Sequence, residues 1–370
     1  DTLYTVDVNA ATYEADVTIN DNITNTNTVA ASAVRISNAG ANSSVTIGEN
    51  AILSTDLGND SHAMLLIDTP TTNFTLMNNG TVESSALGRG IVLNNLIDST
   101  ITNSLTGSIE MKTTSAGTIY GLAANSLNNS TISNAGLIDI KTANNAYGIT
   151  SFADISNDSS VTNSGTIKTN ATRALVAETE ENSLGTWTNV WSHGIMAWGD
   201  NSGVGLNNSS IENSNLIDAN ASLDVTINAN QYGAFDTTAR ARGIIIGADW
   251  DTYSVNGTDA DNLATITNSG TINATATLDA HFGEDGLELY GTHYERTFSA
   301  KANGIEAGDL SFAKIEDSFG GTITSLAEVT VDPNGSVYYY GGRFAESSGI
   351  VVGDMTNHSE IYNIGAIDST

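Results

Sequence analysis

Three stretches decide how this chain folds: Ile132-Ser133-Asn134-Ala135-Gly136-Leu137-Ile138, Val161-Thr162-Asn163-Ser164-Gly165-Thr166-Ile167 and Ile266-Thr267-Asn268-Ser269-Gly270-Thr271-Ile272. Each reads aliphatic, any, Asn, any, Gly, any, aliphatic. Variants begin at Ile23, Leu76, Ile101, Ile211, Ile315 and Ile361, and a degraded copy lies around 47–53. A second motif, Gly followed by aliphatic residues, alternates with the first, as in Gly148-Ile149-Thr150, Gly243-Ile244-Ile245-Ile246 and Gly349-Ile350-Val351-Val352. A motif that recurs along a chain marks stacked repeats, each too small to bury its own apolar face.

Apolar residues at alternate positions describe strands with one buried face. The Asn and Gly between two such strands describe a corner, because Asn tolerates left-handed backbone and Gly accepts almost any conformation. When coils stack, each corner Asn lies over the Asn of the coil below, and the amides can bond in a ladder along the axis. The predicted ladder is Asn25, Asn78, Asn103, Asn134, Asn163, Asn213, Asn268 and Asn363, with Asp317 at the equivalent place in its own coil. With the degraded copy this makes about ten coils. The spacings from Asn78 to Asn163 (25, 31 and 29 residues) fit three short strands per coil. Later spacings lengthen to 50, 55, 49 and 46, and the excess falls between the Asn motif and the next Gly motif. Four lateral β-hairpin insertions are therefore expected at 172–191, 221–241, 275–302 and 325–347. In the last, Val329-Thr330-Val331, Asp332-Pro333-Asn334-Gly335 and Val337-Tyr338-Tyr339-Tyr340 read as strand, turn, strand. The expected architecture is all-β: a right-handed parallel β-solenoid (β-helix) with hairpins in its second half. It divides into an N-terminal strand segment at 1–19, regular coils at 20–171 and coils with insertions at 172–370.

Composition narrows the function. Twelve Lys and Arg face 42 Asp and Glu, a formal charge of −30. Nucleic acid is excluded as a natural partner, because neutralising phosphates needs basic clusters. The acidity suits divalent cations and salty surroundings, where screening weakens self-repulsion. The chain has no Cys and hence no disulfides or thiol chemistry. It has no run of about 18 apolar residues, so no membrane insertion by a helix of this segment is expected.

The Asn-Ser-Gly-Thr-Ile repeats followed by Gly-Ile strands resemble the passenger regions of bacterial autotransporters and related β-solenoid adhesins, over about 20–370. That resemblance implies secretion through the envelope after removal of a leader, and display at the cell surface. The family also hosts proteases, cytotoxins and stalks, so it does not by itself choose a function.

No catalytic constellation emerges. Five histidines stand at 62, 193, 281, 293 and 358, without a Gly-x-Ser-x-Gly elbow. His193 precedes a Gly-Ile strand and is expected at a corner. Arg240 and Arg242, beside Asp236 and Asp249, are the one cluster that would suit a carbohydrate-active β-helix enzyme (a polysaccharide lyase or glycosidase). That reading is the alternative to a structural role. No cofactor is required. Asp249, Asp251, Asp259 and Asp261 flank one loop and are the candidate calcium ligands, since calcium needs several converging oxygens. Ice binding wants regular Thr ranks on one face; Thr does not recur at a fixed offset here, so that reading is set aside.

Eighteen of the 24 aromatic residues follow residue 180, which gives the second half a surface role. Trp187, Trp191, Tyr338, Tyr339 and Tyr340 are expected at a contact. Neither end carries a recognisable cap. The first strands, including Tyr4, Val6 and Val8, and the last motif, from Ile361 to Ile367, should be complementary edges. The expectation is an extracellular structural or adhesive protein that joins itself head to tail into filaments and meets host, bacterial or glycan surfaces.

Overall fold

A computed structural model of the chain describes residues 5–9, 14–26, 32–55, 63–177, 187–199, 203–228, 231–232, 236–247, 252–282, 289–290, 296–332 and 341–370. For 177, 187, 231, 232, 289, 290, 296, 341 and 342 it describes the backbone alone. Among the described residues every regular element is a β-strand. Tyr4, Asp249, Asp251, Tyr338, Tyr339, Tyr340 and the side chain of Trp187 lie outside this set.

The strands form three sheets of ten, one of eight and a pair, Gln231–Tyr232 with Leu289–Tyr290, with sequence-distant strands as neighbours. Sheet A runs from Val6–Asn9 to Gly341–Val351, sheet B from Asp16–Ile19 to Glu360–Asn363, and sheet C from Ile23–Asn25 to Ala366–Ser369. Sheet D runs from Thr71–Thr72 to Met355–Thr356. Each coil gives one strand to A, B and C in turn and pairs in parallel with the coils on either side. The chain is a parallel β-solenoid of ten coils.

Coils have a fourth side beyond the three read from the sequence. Sheet D strands such as Leu96–Ile97 and Leu127–Asn128 are two residues long. Such a strand contributes one inward aliphatic residue and no alternation, so its pattern is invisible in the sequence. Leu96, Leu127, Ile155 and Leu206 are the inward residues, fully buried or nearly so.

The interior is a set of aliphatic columns. Ile101, Ile132, Val161 and Ile211 stack in sheet B. Ile138, Ile167, Ile217 and Ile272 stack in sheet C. Burial of each such side chain contributes roughly 1.5–3 kcal/mol, repeated coil after coil. The Gly of the second motif is not a corner residue. It sits in mid-strand in sheet A, where it presses on the sheet C column. A Cβ on Gly243 would meet Ile272 Cγ2 at 2.1 Å and the Gly304 carbonyl at 2.6 Å.

Left-handed backbone also falls elsewhere than expected. None of the ladder asparagines has positive φ. Asn73 (52°), Asp98 (50°), Asn129 (46°) and Asn208 (46°) do, at the corner between sheets D and B. There the side chains touch between coils, Asn73 Nδ2 donating to Asn42 Oδ1 at 3.1 Å and Asn208 Nδ2 to Asp158 Oδ1 at 2.9 Å.

At the four expected insertions strands of sheets C and A lengthen, and among the described residues the two arms pair with other coils, not with each other. The first arms lengthen sheet C strands, as in Leu216–Ile227 and Thr271–Phe282, and the second arms lengthen sheet A strands, as in Asp236–Ile246 and Arg296–Glu306. Each arm pairs in parallel with the same arm of the next coil. The arms are therefore two facing sheets that extend the core sideways. Leu278, Ala280 and Phe282 are buried opposite Phe298 and Ala300, with Phe282 and Phe298 edge to face at 6.4 Å. Pairing between coils gives the arms of the two middle insertions a neighbour in register on both sides, whereas a hairpin partner offers one.

Candidate functional site

The inner corner between sheets B and C carries a continuous amide ladder. Asn78 Nδ2 donates to Asn103 Oδ1 at 2.7 Å, Asn103 to Asn134 at 2.7 Å, and Asn134 to Asn163 at 2.7 Å. Asn163 donates to Asn213, Asn213 to Asn268, and Asn268 to Asp317 Oδ1, each at 2.8 Å. All seven side chains are buried. Asn25 is not a member. It lies in sheet C opposite Thr55 and gives its Nδ2 to the Ser32 carbonyl at 3.0 Å. The ladder position in the first two coils belongs to Ile19 and Ile47; the Ile-Thr-Asn triplet at 23–25 imitates the motif one strand too late. Asn363 sits in register with Asp317 but is exposed, and its Oδ1 accepts the Gly365 N–H at 2.9 Å.

The ladder ends on a carboxylate. Asp317 is fully buried, and its Oδ2 has no hydrogen-bond partner. Burial holds its carboxyl above the usual range, and the bond from Asn268 offsets this in part.

A second polar rank escaped the sequence reading. Ser99, Ser130, Ser159 and Ser209 are buried at the entry to successive sheet B strands. Ser99 N–H donates to Ser130 Oγ at 3.0 Å, Ser130 N–H to Ser159 Oγ at 3.0 Å, and Ser159 N–H to Ser209 Oγ at 3.1 Å. The signal was an Asx-Ser pair just before the motif: Asp98-Ser99, Asn129-Ser130, Asp158-Ser159 and Asn208-Ser209.

The outside of sheet A holds a sealed ion cluster. Tyr120, Tyr147, His193, Arg242 and Asn303 occupy one rank across five strands. Arg242 donates to Glu306 from Nε at 2.5 Å and from Nη2 at 3.2 Å, and Asn303 Nδ2 adds a bond to Glu306 at 2.6 Å. Arg242 Nη1 lies 3.1 Å from His193 Nε2, which must accept, leaving a neutral ring. Burial pushes His193 well below its ordinary value, and the Arg242 and Arg240 charges push the same way. Burial alone would raise the Glu306 carboxyl; the Arg242 charge and the hydrogen bonds outweigh it and hold it low. His193 is thus a fully buried mid-strand residue, not a corner residue, because the exterior of sheet A is covered here. Tyr147 and Tyr120 stack at 5.0 Å, with Met196, Ile245 and Trp198 beside them.

Arg242 is accordingly committed to Glu306. Arg240 instead lines an open hollow with Asp236, Thr238, Lys301, Phe344 and Glu346, where Lys301 Nζ meets Glu346 at 2.8 Å. Trp191 is half-buried next to Arg240 in the same sheet. Of the candidate calcium ligands, the two described ones act locally. Asp259 Oδ1 accepts the N–H groups of Asp261 at 2.9 Å and Asn262 at 3.0 Å, which lowers its carboxyl. Among the described residues no group of three or more His, Asp or Glu gathers as a metal site. No helix among them is long and apolar enough to cross a membrane.

Val6 and Val8 are half-buried on the first described strand, and Ile361 and Ile367 are exposed on the last coil. Comparison of the chain with protein-family models, curated proteins and solved structures finds no match.

Proposed function

We propose that the protein is an extracellular structural or adhesive component of a bacterial surface, whose copies stack head to tail into filaments. The coil-on-coil stacking carries the reading: interior coils pair in parallel, residue for residue, with the coils on either side, so one coil face is a template for another. In the proposed contact one molecule presents the coil of Gly341–Val351, Met355–Thr356, Glu360–Asn363 and Ala366–Ser369, whose Ile361 and Ile367 lie in register with Ile315 and Ile323. Open strand edges with apolar side chains template a further layer.

The partner we assign is the first described coil of a second copy. Its strands in sheets A, B and C carry Val6, Val8, Val17 and Ile23, all half-buried. Such a contact uses different surfaces on the two molecules, so it propagates instead of closing. A filament would repeat every lateral face many times, which turns weak attachment to host, bacterial or glycan surfaces into avid attachment. The resemblance to autotransporter passengers supports display outside the cell.

Light scattering and negative-stain electron microscopy test this on three chains: the wild type, the double variant Ile361→Lys/Ile367→Lys, and a chain lacking residues 1–19. Filaments are expected from the wild type alone, with the strand-type circular dichroism of the variants retained. Filaments that persist unchanged in both variants, or a wild type that stays monomeric as concentration rises, overturn the stacking reading.

A further inference from the structure

The exterior of sheet B carries a regularity that the coil edges do not use. Its strands stack residue for residue, so outward positions two apart form two ranks along the axis. In three successive coils these positions hold Thr100 and Thr102, Thr131 and Ser133, and Ser160 and Thr162. From the strand Ser44–Ile47 to the strand Ala264–Asn268, Ser or Thr fills both ranks in every coil except at Met77 and Glu212. The chain has 42 acidic residues, yet Glu212 is the single charge in these ranks over those coils.

Spacing follows from the fold. Neighbouring strands lie about 4.8 Å apart, and residues i and i+2 about 6.7 Å apart. The face is thus a two-dimensional lattice of hydroxyl and methyl groups. The residues are exposed or half-buried, and Thr131 Oγ1 and Ser160 Oγ lie 3.1 Å apart between coils.

The lattice is also stiff. Each of these strands is held at its start by the serine rank, through Ser99, Ser130 and Ser159, and at its end by the amide ladder, through Asn103, Asn134 and Asn163. Side-chain ladders of this kind keep strands evenly spaced and resist the twist that sheets otherwise take up. β-Branched Thr adds a restricted χ1. Little freedom is therefore lost when the face meets a rigid ligand.

We propose that this face binds ice. An array with one charge and no aromatic ring in its ranks suits neither an ionic surface, which needs charges, nor a single sugar chain, which is normally gripped by rings and charged side chains. It suits a ligand that is itself a periodic lattice of hydrogen-bonding groups at a similar repeat. Hydroxyls anchor first-layer waters and methyls confine them between the ranks, so the ordered layer continues into the crystal. Waters already held in place bridge two polar surfaces at small entropic loss. The residue offset varied in the sequence because 25 to 55 residues separate equivalent strands; the register restores the ranks.

The experiment grows ice slowly from a solution of the chain and measures the ratio of protein in ice to protein in liquid. Thr102→Lys/Thr162→Lys places two charges in the lattice, and Asn273→Lys places one on the outside of sheet C. The wild type and Asn273→Lys should enter the ice. The double variant should be excluded by at least about tenfold, since each buried charge must be desolvated, while its melting curve and filament formation stay unchanged. A wild type excluded from ice as fully as the double variant overturns the proposal. So does adsorption to microcrystalline cellulose or chitin without uptake into ice, which would reassign the face to a crystalline polysaccharide.

Discussion

Replacing Asp317 by Asn should stabilise the ninth and tenth coils at neutral pH. Every rung from Asn103 to Asn268 donates forward from Nδ2 and accepts backward at Oδ1. Asp317 accepts from Asn268 but has nothing to donate when ionised, and its Oδ2 is buried without a partner. A buried acceptor left unmade costs about 1–3 kcal/mol. The carboxyl is raised by burial, so the folded chain prefers the protonated form. Its favourable contribution is complete below the unfolded value near 3.9 and is lost as pH rises through the folded value. Asn carries no such penalty at any pH. The readout is hydrogen exchange at Ile364 and Gly365, whose N–H groups donate to the Asp317 carbonyl at 2.9 and 3.1 Å. At pH 7 the variant should slow their exchange by about 5- to 150-fold, which is 1–3 kcal/mol converted at 1.4 kcal/mol per factor of ten. The advantage should shrink below about pH 4, where Asp317 is neutral as well. Equal or faster exchange in the variant at pH 7, or an advantage undiminished in acid, would refute the reasoning.

Three further outcomes follow from the buried polar contacts. Asn163→Leu strands the Asn134 amide and the Asn213 oxygen together, and urea unfolding should show a loss of about 2–6 kcal/mol, twice the single unmade bond. Arg242→Ala leaves the Glu306 carboxylate buried and unpaired, for an expected loss of about 3–5 kcal/mol. In the wild type that contribution should be complete above the unfolded carboxyl value near 4.3 and be lost as acid carries Glu306 through its lowered folded value. A wild type whose unfolding midpoint is flat from pH 7 into acid, and equal to that of Glu306→Gln, would contradict the pairing.

The part of this protein legible in its sequence is what repeats within one coil. Alternating Ile and Val mark strands, the Asn-x-Gly corner marks where one strand ends and the next begins, and together they give ten coils and locate the four enlarged ones. Those features depend on contacts a few residues apart, so a local pattern carries them. What lies between coils was decided by tertiary structure. Gly243 could be seen as a repeat element, but only the packing of sheet A on sheet C shows that Ile272 needs the space where its side chain would be. Arg242 and Glu306 are 64 residues apart and meet because their strands are neighbours in sheet A. The arms of the insertions read as hairpins, since each contains a strand, a turn and a strand; stacking gave the arms partners in neighbouring coils instead. The hydroxyl ranks were hidden for the same reason. Coils of unequal length separate Thr102, Ser133, Thr162 and Thr267 along the chain by uneven intervals, and only main-chain register, set by hydrogen bonds between coils, puts them on one line.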